Sequence, residues 1–470
     1  MSLSQGNSYQ IYRALPVGMQ NLSVTAFGSI RWLHEISGAF RNKVNQLMKT
    51  QWFEPEELEA YRRNSLTEIL LAAKNTDFYK DILPDRQSML EDPFGTLAGM
   101  QVLGRECVRD NPKAFLNKQY NKRLIRHGTS GTTGTPLQAY WTADCIDMER
   151  ALIWRQRAVT GLALGESWRG MLGGHQVVPL DSKKPPFWRV NRLAKQVYFS
   201  TYHMTPENAP AYLEALSHFN ITSLEGYPSV LYSLAHSFRI AGLSHRMKSI
   251  YYGAEPLHDF QRELITSVFC CGIYDYYGLT ERVASASEFE CRNGLHENWE
   301  NCILEIVDPD GKPVPDGEYG ELVGTSLSNL GFPLLRYRTG DMTRFLPGKC
   351  SCGRHSRRIA RIDTKREDLL LMPDGSLLSA SNLTFPFKEV GNILESQLFQ
   401  NSLDQIEIRI VPAVGYTNAD GEKLVSGLRA LIPKPVGLKL IKVDAIPRTT
   451  AGKFRFCVSK LTGKNESICE

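Results

Sequence analysis

Residues 127–136 read His-Gly-Thr-Ser-Gly-Thr-Thr-Gly-Thr-Pro, and no other stretch limits the fold as much. Gly128, Gly131 and Gly134 alternate with the hydroxyls of Thr129, Ser130, Thr132, Thr133 and Thr135. Glycine lets the backbone turn tightly and brings its N–H groups close to a ligand. Hydroxyls add donors that rotate to fit. A backbone nest of this kind takes an anion, and the phosphates of a nucleotide suit it best. The Gly-Lys-Ser/Thr ending of a Walker loop is missing, which excludes the ordinary P-loop NTPase. A plain Gly/Thr turn has the same composition, so the loop alone leaves both readings open.

A chain of 470 residues calls for roughly two or three domains. With 42% hydrophobic and 22% charged residues it can bury a large core. The net charge of +5 is small for the length. It gives no concentrated basic patch for nucleic acid, and none for a membrane. Residues 1–20 lack the pattern of a signal peptide. No apolar run approaches the ~18 residues of a membrane span. A cytoplasmic protein is expected. Ten cysteines at this length do not suggest a disulfide scaffold.

Residues 1–100 read as mostly helical, for example Glu56 to Lys74, broken by Asn75, Pro84 and Pro93. Leu137 to Trp141 reads as a strand after the glycine loop. Thr142 with Asp144 marks a helix start, and the helix runs to about Val159, near Gly161. Short strands then alternate with helices from Glu166 to Arg361, which predicts α/β layering. Ile303 to Val307, Gly320 to Thr325 and Met342 to Leu346 predict β-ribbon strands, with a hairpin turn at Asp308-Pro309-Asp310-Gly311. Near Asp363 a smaller α+β unit begins. Its strands Ile406 to Ile410 and Lys439 to Val443 flank a helix at Lys423 to Leu431.

Three further segments carry chemistry. Tyr276-Tyr277-Gly278-Leu279-Thr280-Glu281 sets a carboxylate beside a hydroxyl at a strand end, which suits Mg²⁺. Tyr337-Arg338-Thr339-Gly340-Asp341 sets a carboxylate after a glycine turn, which suits ribose hydroxyls. Pro447-Arg448-Thr449-Thr450-Ala451-Gly452-Lys453 offers a mobile lysine for phosphate or carboxylate oxygens. Read singly, each is equally a surface Glu, a turn-capping Asp and a solvated basic turn.

In this order, and with the glycine loop before them, these segments resemble those of the adenylate-forming superfamily: acyl-CoA synthetases, peptide-synthetase adenylation domains and luciferases. The resemblance covers about Arg126 to Lys453. The short length, Tyr252-Gly253-Ala254-Glu255-Pro256 and the cysteine pattern fit the phenylacetate–CoA ligase branch and its capsule-biosynthesis-associated relatives. The resemblance implies an α/β fold with a large N-terminal adenylation domain (1–362, helical over 1–100, with a β-ribbon subdomain). A small α+β lid domain (363–470) follows, with Asp363 as its hinge.

The same resemblance implies ATP, Mg²⁺ and coenzyme A. Thr129, Ser130, Gly131, Thr132, Thr133 and Gly134 would hold the β- and γ-phosphates. Gly253, Ala254 and Glu255 would line the adenine, with Tyr276, Tyr277 and Gly278 beside the base. Thr280 would touch the α-phosphate and Glu281 would ligate Mg²⁺. Asp341 would take the ribose hydroxyls with Arg361 nearby, and Lys453 would bridge the acyl carboxylate and the α-phosphate. Thr135 stands where many relatives have lysine, which removes one charge from the loop.

Cys291-x₄-His296 and Cys350-x-Cys352 are each bounded by turn-forming residues. Three thiolates and one imidazole form a structural Zn²⁺ set with no open position. Two unrelated pairs of reduced cysteines would read the same way, and Cys-x-Cys is tighter than the usual knuckle. Tyr227, Tyr252 and Tyr276 form either an aromatic wall for an aryl acid or plain core. His127, His175 and His203 remain open between pocket and packing.

The expected reaction joins a carboxylic acid to ATP as an acyl-adenylate, releases pyrophosphate and passes the acyl group to coenzyme A. The competing readings are transfer to an amine or a carrier-protein thiol, adenylylation of another acceptor, and a nucleotide-binding scaffold without catalysis. By resemblance the assembly is a homodimer.

Overall fold

Pro55, a nitrogen without a hydrogen, opens the longest N-terminal helix, Pro55–Lys74. The Glu54 backbone N–H donates to Glu57 Oε2 at 3.1 Å, closing a capping box, and Asn75 ends the helix. Leu66, Ile69, Leu70 and Ala73 fall on one face and are fully buried. The computed structural model describes residues 7–128, 137–173, 177–179, 181–362, 364–365, 369–373, 377–379, 383, 385–388, 390, 392–432, 435–448 and 454–461. Helices Val17–Glu35 and Gly38–Thr50 precede Pro55–Lys74. Helix Ala143–Val159 starts where the sequence places it, with the Thr142 side chain accepting from the Cys145 N–H at 3.1 Å.

A nine-stranded sheet organises the first part of the chain. Five strands run parallel in the order Gln196–Phe199, Arg169–Leu172, Ser223–Gly226, Ser249–Tyr252, Gly272–Gly278. Helices Ala209–His218, Pro228–Ile240 and Asp259–Phe269 lie between them in the chain. Strand Ser249–Tyr252 is buried at every position, as a parallel strand covered on both faces must be. Antiparallel strands Ser285–Glu288, Leu295–Glu297 and Arg358–Ile359 extend one side. Trp188–Asn191 ends the other.

A second sheet joins Cys302–Val307, Gly320–Ser326, Tyr337–Thr343 and Thr364–Lys365, all antiparallel. The expected turn at 308–311 is present: the Asp308 N–H donates to the Lys312 carbonyl at 2.9 Å, and Gly311 takes φ +81°. The third strand differs from the expectation of Met342 to Leu346. It begins five residues earlier, at Tyr337, because Gly340 with φ +76° is part of a bulge rather than a turn. Glu321 pairs with Met342 while Val323 pairs with Arg338, so residues 339–341 bow outward.

Beyond residue 369 the chain builds another four-stranded sheet, ordered Gly437–Lys442, Gln405–Pro412, Ile393–Ser402, Cys457–Ser459. Helix Asn418–Leu431 links the parallel strands Gln405–Pro412 and Gly437–Lys442. Its core holds Leu398, Ile406, Ile408, Leu424 and Leu428 and, among the described residues, no buried residue numbered below 370. Among the described residues no helix is long and apolar enough to cross a membrane.

Buried charges fasten the helical start to the sheets. Arg155 Nη1 lies 2.6 Å from Glu300 Oε1, both side chains almost wholly buried, and Nη2 donates to Asn298 Oδ1 at 2.8 Å. The Thr50 hydroxyl donates to the same Glu300 oxygen at 2.7 Å. Removing one member strands a buried charge. Arg155→Met is therefore expected to lower stability by ~3–5 kcal/mol, and Arg155→Met with Glu300→Gln to recover part of it. Urea unfolding midpoints at unchanged slope measure both.

Candidate functional site

In a parallel sheet the loops leaving the carboxyl ends of the strands meet at one edge, where open α/β folds bind ligands. Here Leu172 pairs with Gly226, Gly226 with Tyr252, and Tyr252 with Asp275. Tyr227, Gly253 to Glu255, and Thr280 with Glu281 therefore leave the same edge. Gly253 packs where a Cβ would lie 2.5 Å from the Tyr276 carbonyl oxygen, so only glycine fits. Ala254 follows with φ +67° and Arg282 has φ +62°, two non-glycine residues in the left-handed region. Such strain gathers at ligand sites.

Two hydrogen bonds join this edge to the second sheet. Tyr277 donates its hydroxyl to Asp341 Oδ2 at 2.7 Å. Tyr337 donates to Glu281 Oε1 at 3.1 Å. Each motif thus gives a tyrosine to the carboxylate of the other. Burial, reinforced by the neighbouring carboxylate, pushes both phenols well above their usual pKa, so both stay donors. Both carboxylates are nearly buried, Asp341 at 1% and Glu281 at 4% exposed. Arg105 Nη1 approaches Glu281 Oε1 at 3.9 Å. Asp341 sits on the bulge, its N–H donating to Thr339 Oγ1 at 3.0 Å.

The glycine-rich residues 129–136 lie outside the described residues, but the strands on either side do not. Ile125–Gly128 pairs antiparallel with Gln138–Trp141, Gly128 opposite Gln138. Trp141 Nε1 donates to the Thr280 carbonyl at 2.7 Å. The Arg282 guanidinium stacks 4.2 Å over the Trp141 ring and also pairs with Glu149. His127 stacks on the same Trp141 ring, with ring centroids 3.5 Å apart. The base of the loop is thereby anchored next to Thr280 and Glu281.

Lys453 and Asp363 also lie outside the described residues, as does His175. Phe454, the residue after Lys453, donates its backbone N–H to Glu255 Oε1 at 2.8 Å. Phe456 meets the His258 ring at 5.4 Å. Arg361 is held by the buried Glu288, Nη2 to Oε1 at 2.6 Å. Asp275 beside it is pushed up to about 8 by burial and by the Glu288 charge.

The tyrosine wall separates into different environments. Tyr227 is half-buried at the strand end. Tyr252 is only 4% exposed within the core of the central sheet, and its hydroxyl accepts from Arg262 Nη2 at 3.0 Å. That environment is core packing rather than a pocket wall. Tyr276 packs against the Ala151, Leu152 and Trp154 cluster. His203 hydrogen-bonds Ser200 Oγ at 2.7 Å and stacks on Phe187, a packing role. Trp141 and Tyr337 stand in segments singled out from sequence, but their bonds to Thr280 and Glu281, like the Glu255–Phe454 contact, were not foreseen, since each partner is remote along the chain.

Cys291, His296, Cys350 and Cys352 come together with their donor atoms all within 4.8 Å. Cys350 Sγ lies 3.5 Å from Cys291 Sγ. His296 Nε2 lies 3.7 Å from Cys291 Sγ and 3.6 Å from Cys352 Sγ. His296 Nδ1 meets Ser356 Oγ at 2.9 Å, which orients the ring. Burial, with Arg354, Arg358 and Arg155 nearby, pushes His296 down to about 3, so the imidazole is neutral.

Residues 192–328 match the family model described as "AMP-binding enzyme", and residues 370–460 match "CapK C-terminal domain". The chain is 27% identical to Protein CapK of Staphylococcus aureus over 466 residues, 96% of this chain and 99% of that one. It is 27% identical to a phenylacetate-coenzyme A ligase of Pseudomonas putida over 370 residues, 74% of this chain and 78% of that one. Among solved structures, a 2-hydroxyisobutyryl-CoA ligase in complex with 2-HIB-AMP superposes with a TM-score of 0.66. That match spans 88% of this chain and 92% of that chain at 17% identity, and it speaks to the fold. The sheet topology, the two joined motifs and these relatives agree with one another and support the adenylate-forming superfamily, in the branch that holds phenylacetate–CoA ligases and CapK.

Proposed function

We propose that this chain is an ATP-dependent ligase that activates a carboxylic acid as its acyl-adenylate and then transfers the acyl group to coenzyme A. The observation that carries the reading is the crossed pair of hydrogen bonds, Tyr277 to Asp341 and Tyr337 to Glu281. It brings close together, where the two sheets meet, two carboxylates of the kind that different parts of one nucleotide would need.

In the first step an oxygen of the acid attacks the α-phosphorus of ATP. The bond to the β-phosphate breaks and pyrophosphate leaves. Two anions must approach, so the site contributes positioning and electrostatics rather than a covalent nucleophile. Residues 129–136 take the β- and γ-phosphates, the Gly253–Glu255 turn lies against the adenine, and Asp341 accepts from the ribose hydroxyls. Thr280 donates to the α-phosphate. Glu281 supplies a hard carboxylate oxygen of the kind Mg²⁺ prefers. When bound there, the ion neutralises phosphate charge. Lys453 bridges the attacking carboxylate and the α-phosphate; the anchoring of Phe454 on Glu255 supports this placement. In the second step the thiolate of coenzyme A attacks the acyl carbon and AMP leaves. Residues from 363 onward act as the lid that withdraws Lys453 between the two steps, with Asp363 as hinge. The acid is proposed to be aryl, in keeping with the named relatives and with half-buried Tyr227 at the strand end.

Zinc is proposed for the cysteine–histidine cluster. A tetrahedral site with Zn–S near 2.3 Å and Zn–N near 2.0 Å has S···S edges of about 3.8 Å and S···N edges of about 3.5 Å. The separations of 3.5 to 3.7 Å fit that figure. Four protein ligands leave no position for chemistry, so the metal would brace the turns around the second half of the central sheet.

Lys453→Ala is expected to abolish acid-dependent pyrophosphate exchange while ATP still binds; near-normal exchange would contradict the role of Lys453. Asp341→Ala is expected to weaken ATP binding by ~1.5–3 kcal/mol, the worth of a charge-assisted hydrogen bond, as read by calorimetric titration. Purified protein should contain one zinc per chain, and Cys352→Ser should lose both metal and thermal stability. A folded wild type without metal would remove zinc from the account.

A further inference from the structure

One face of the central sheet carries charge where the other carries core. Leu224, Ile250 and Ile273 point into the buried cluster shared with helices Pro228–Ile240 and Asp259–Phe269. Side chains alternate along a strand, so their neighbours face the opposite way. There Tyr198, Met171, Glu225 and Tyr251 are register partners in turn and form one row across four strands. Helix Ala143–Val159 lies over that row. Its Arg157 pairs with Glu225 Oε2, and the Arg157 and Arg169 guanidiniums lie 5.0 and 4.6 Å from the Trp154 ring. Arg169, two residues before Met171, reaches the same Oε2 at 3.7 Å.

Two observations separate this cluster from a structural ion pair. The first is access. The Arg155–Glu300 pair, anchored on the same helix, is closed, with side chains 2% and 0% exposed. Glu225 keeps 31% of its side-chain surface accessible, and Met171 and Tyr198 beside it are only half-buried, although all three strands have a neighbour on either side. Accessible surface on an interior strand beneath a helix faces a hollow. Tyr227, Gly253 and Tyr276 follow two residues further along the same face, roughly 6–7 Å on at the usual strand rise. The hollow thus leads from the proposed nucleotide edge down to Glu225. The second observation is an unanswered oxygen. Both guanidiniums go to Oε2, and among the described residues Oε1 takes no hydrogen bond.

Burial pulls the Glu225 carboxyl upward, but Arg157, Arg169 and Arg31 together hold it below the usual carboxylate range. It stays ionised, and an ionised carboxylate only accepts. A second carboxylate on a ligand would be repelled by that oxygen. An ammonium would meet the guanidiniums of Arg31, Arg157 and Arg169, which outnumber the carboxylates of Glu35 and Glu225 around them. A neutral donor meets neither objection. We infer that the acid activated here carries a hydroxyl remote from its carboxyl, donated to Glu225 Oε1 at the inner end of the acyl pocket. The inference rests on the ligase reading and narrows its substrate to a hydroxylated aryl acid.

Calorimetric titration of the full chain with phenylacetic acid and its para-hydroxy, para-carboxy and para-aminomethyl derivatives reads acid binding apart from catalysis. The hydroxylated acid should bind at least about tenfold more tightly than the other three, because a site built to hydrogen-bond a hydroxyl rejects an analogue without it. Glu225→Gln removes the charge that repels anions and should move the preference to the para-carboxy acid, which a purely structural Glu225 would not do. If that variant does not fold, Glu225→Asp keeps the charge but withdraws the oxygen, and should bind the hydroxylated and unsubstituted acids alike. Wild type that binds none of the four, binds the hydroxylated and unsubstituted acids equally, or prefers the para-carboxy or para-aminomethyl acid overturns the proposal. So does a hydroxyl preference that persists in both variants. Hydroxyl-dependent binding without any acid-dependent pyrophosphate exchange would instead overturn the ligase reading and keep Glu225 as the hydroxyl acceptor.

Discussion

Everything at the site hangs on two phenols. Tyr277 and Tyr337 each leave one sheet and donate to a carboxylate carried by the other, at 2.7 and 3.1 Å. A buried carboxylate without a donor is costly, and so is a buried hydroxyl without an acceptor. Each bond therefore resolves two burial problems at once. The two sheets cannot slide past one another without exposing both. Burial and the neighbouring carboxylate hold both phenols well above their usual pKa, so both remain hydrogen-bond donors. The junction between the sheets is thus set before any ligand arrives, which is the preorganisation that electrostatic catalysis requires.

The backbone around these residues is shaped by exceptions to regular geometry. The bulge at 339–341 breaks the pairing of Asp341 with strand Gly320–Ser326 while Asp341 still pairs with Lys365, and its carboxylate accepts from Tyr277. Gly253 admits the Tyr276 carbonyl, and Ala254 accepts a left-handed conformation immediately after it. A regular strand or a larger residue would close the space at the sheet edge. Trp141 plays the corresponding part for the glycine-rich turn, held between the Thr280 carbonyl and the Arg282 guanidinium. Segments over a hundred residues apart thus share one small region through single side chains.

Local rules carried much of the reading from sequence. Proline at the start and asparagine at the end frame helix Pro55–Lys74, and Thr142 caps the next long helix. The turn at 308–311 and the strand–helix–strand order of the tail are likewise local. Ordered motifs and turn chemistry pointed to the site residues, but their mutual contacts are pairings between distant residues that no local rule encodes. Gly340 was misleading for a physical reason: glycine serves a bulge as well as a turn, and only the partner strand decides which. Tyr252 lies in a strand buried on both faces, where the alternation that separates core from pocket is absent. Cys350-x-Cys352 looked too tight for a knuckle; Gly353 at φ +83° supplies the turn that lets both sulfurs face His296.

The tail sheet meets the rest of the chain through contacts of a different quality. The Phe454 N–H on Glu255 is one charge-assisted hydrogen bond, and the Phe456–His258 contact is one ring pair. Such interactions contribute about 1.5–3 and about 0.5–1.5 kcal/mol. Beside them lies a cleft of about 300 Å³ bordered by His236, Leu264, Phe387 and Arg448. That cleft opens to solvent, and among the described residues the buried cluster of the tail shares no member with the other cores. Units with separate cores that meet across an open groove can part without unpacking either, which is what a lid needs if the same lysine is to be present for one chemical step and absent for the next.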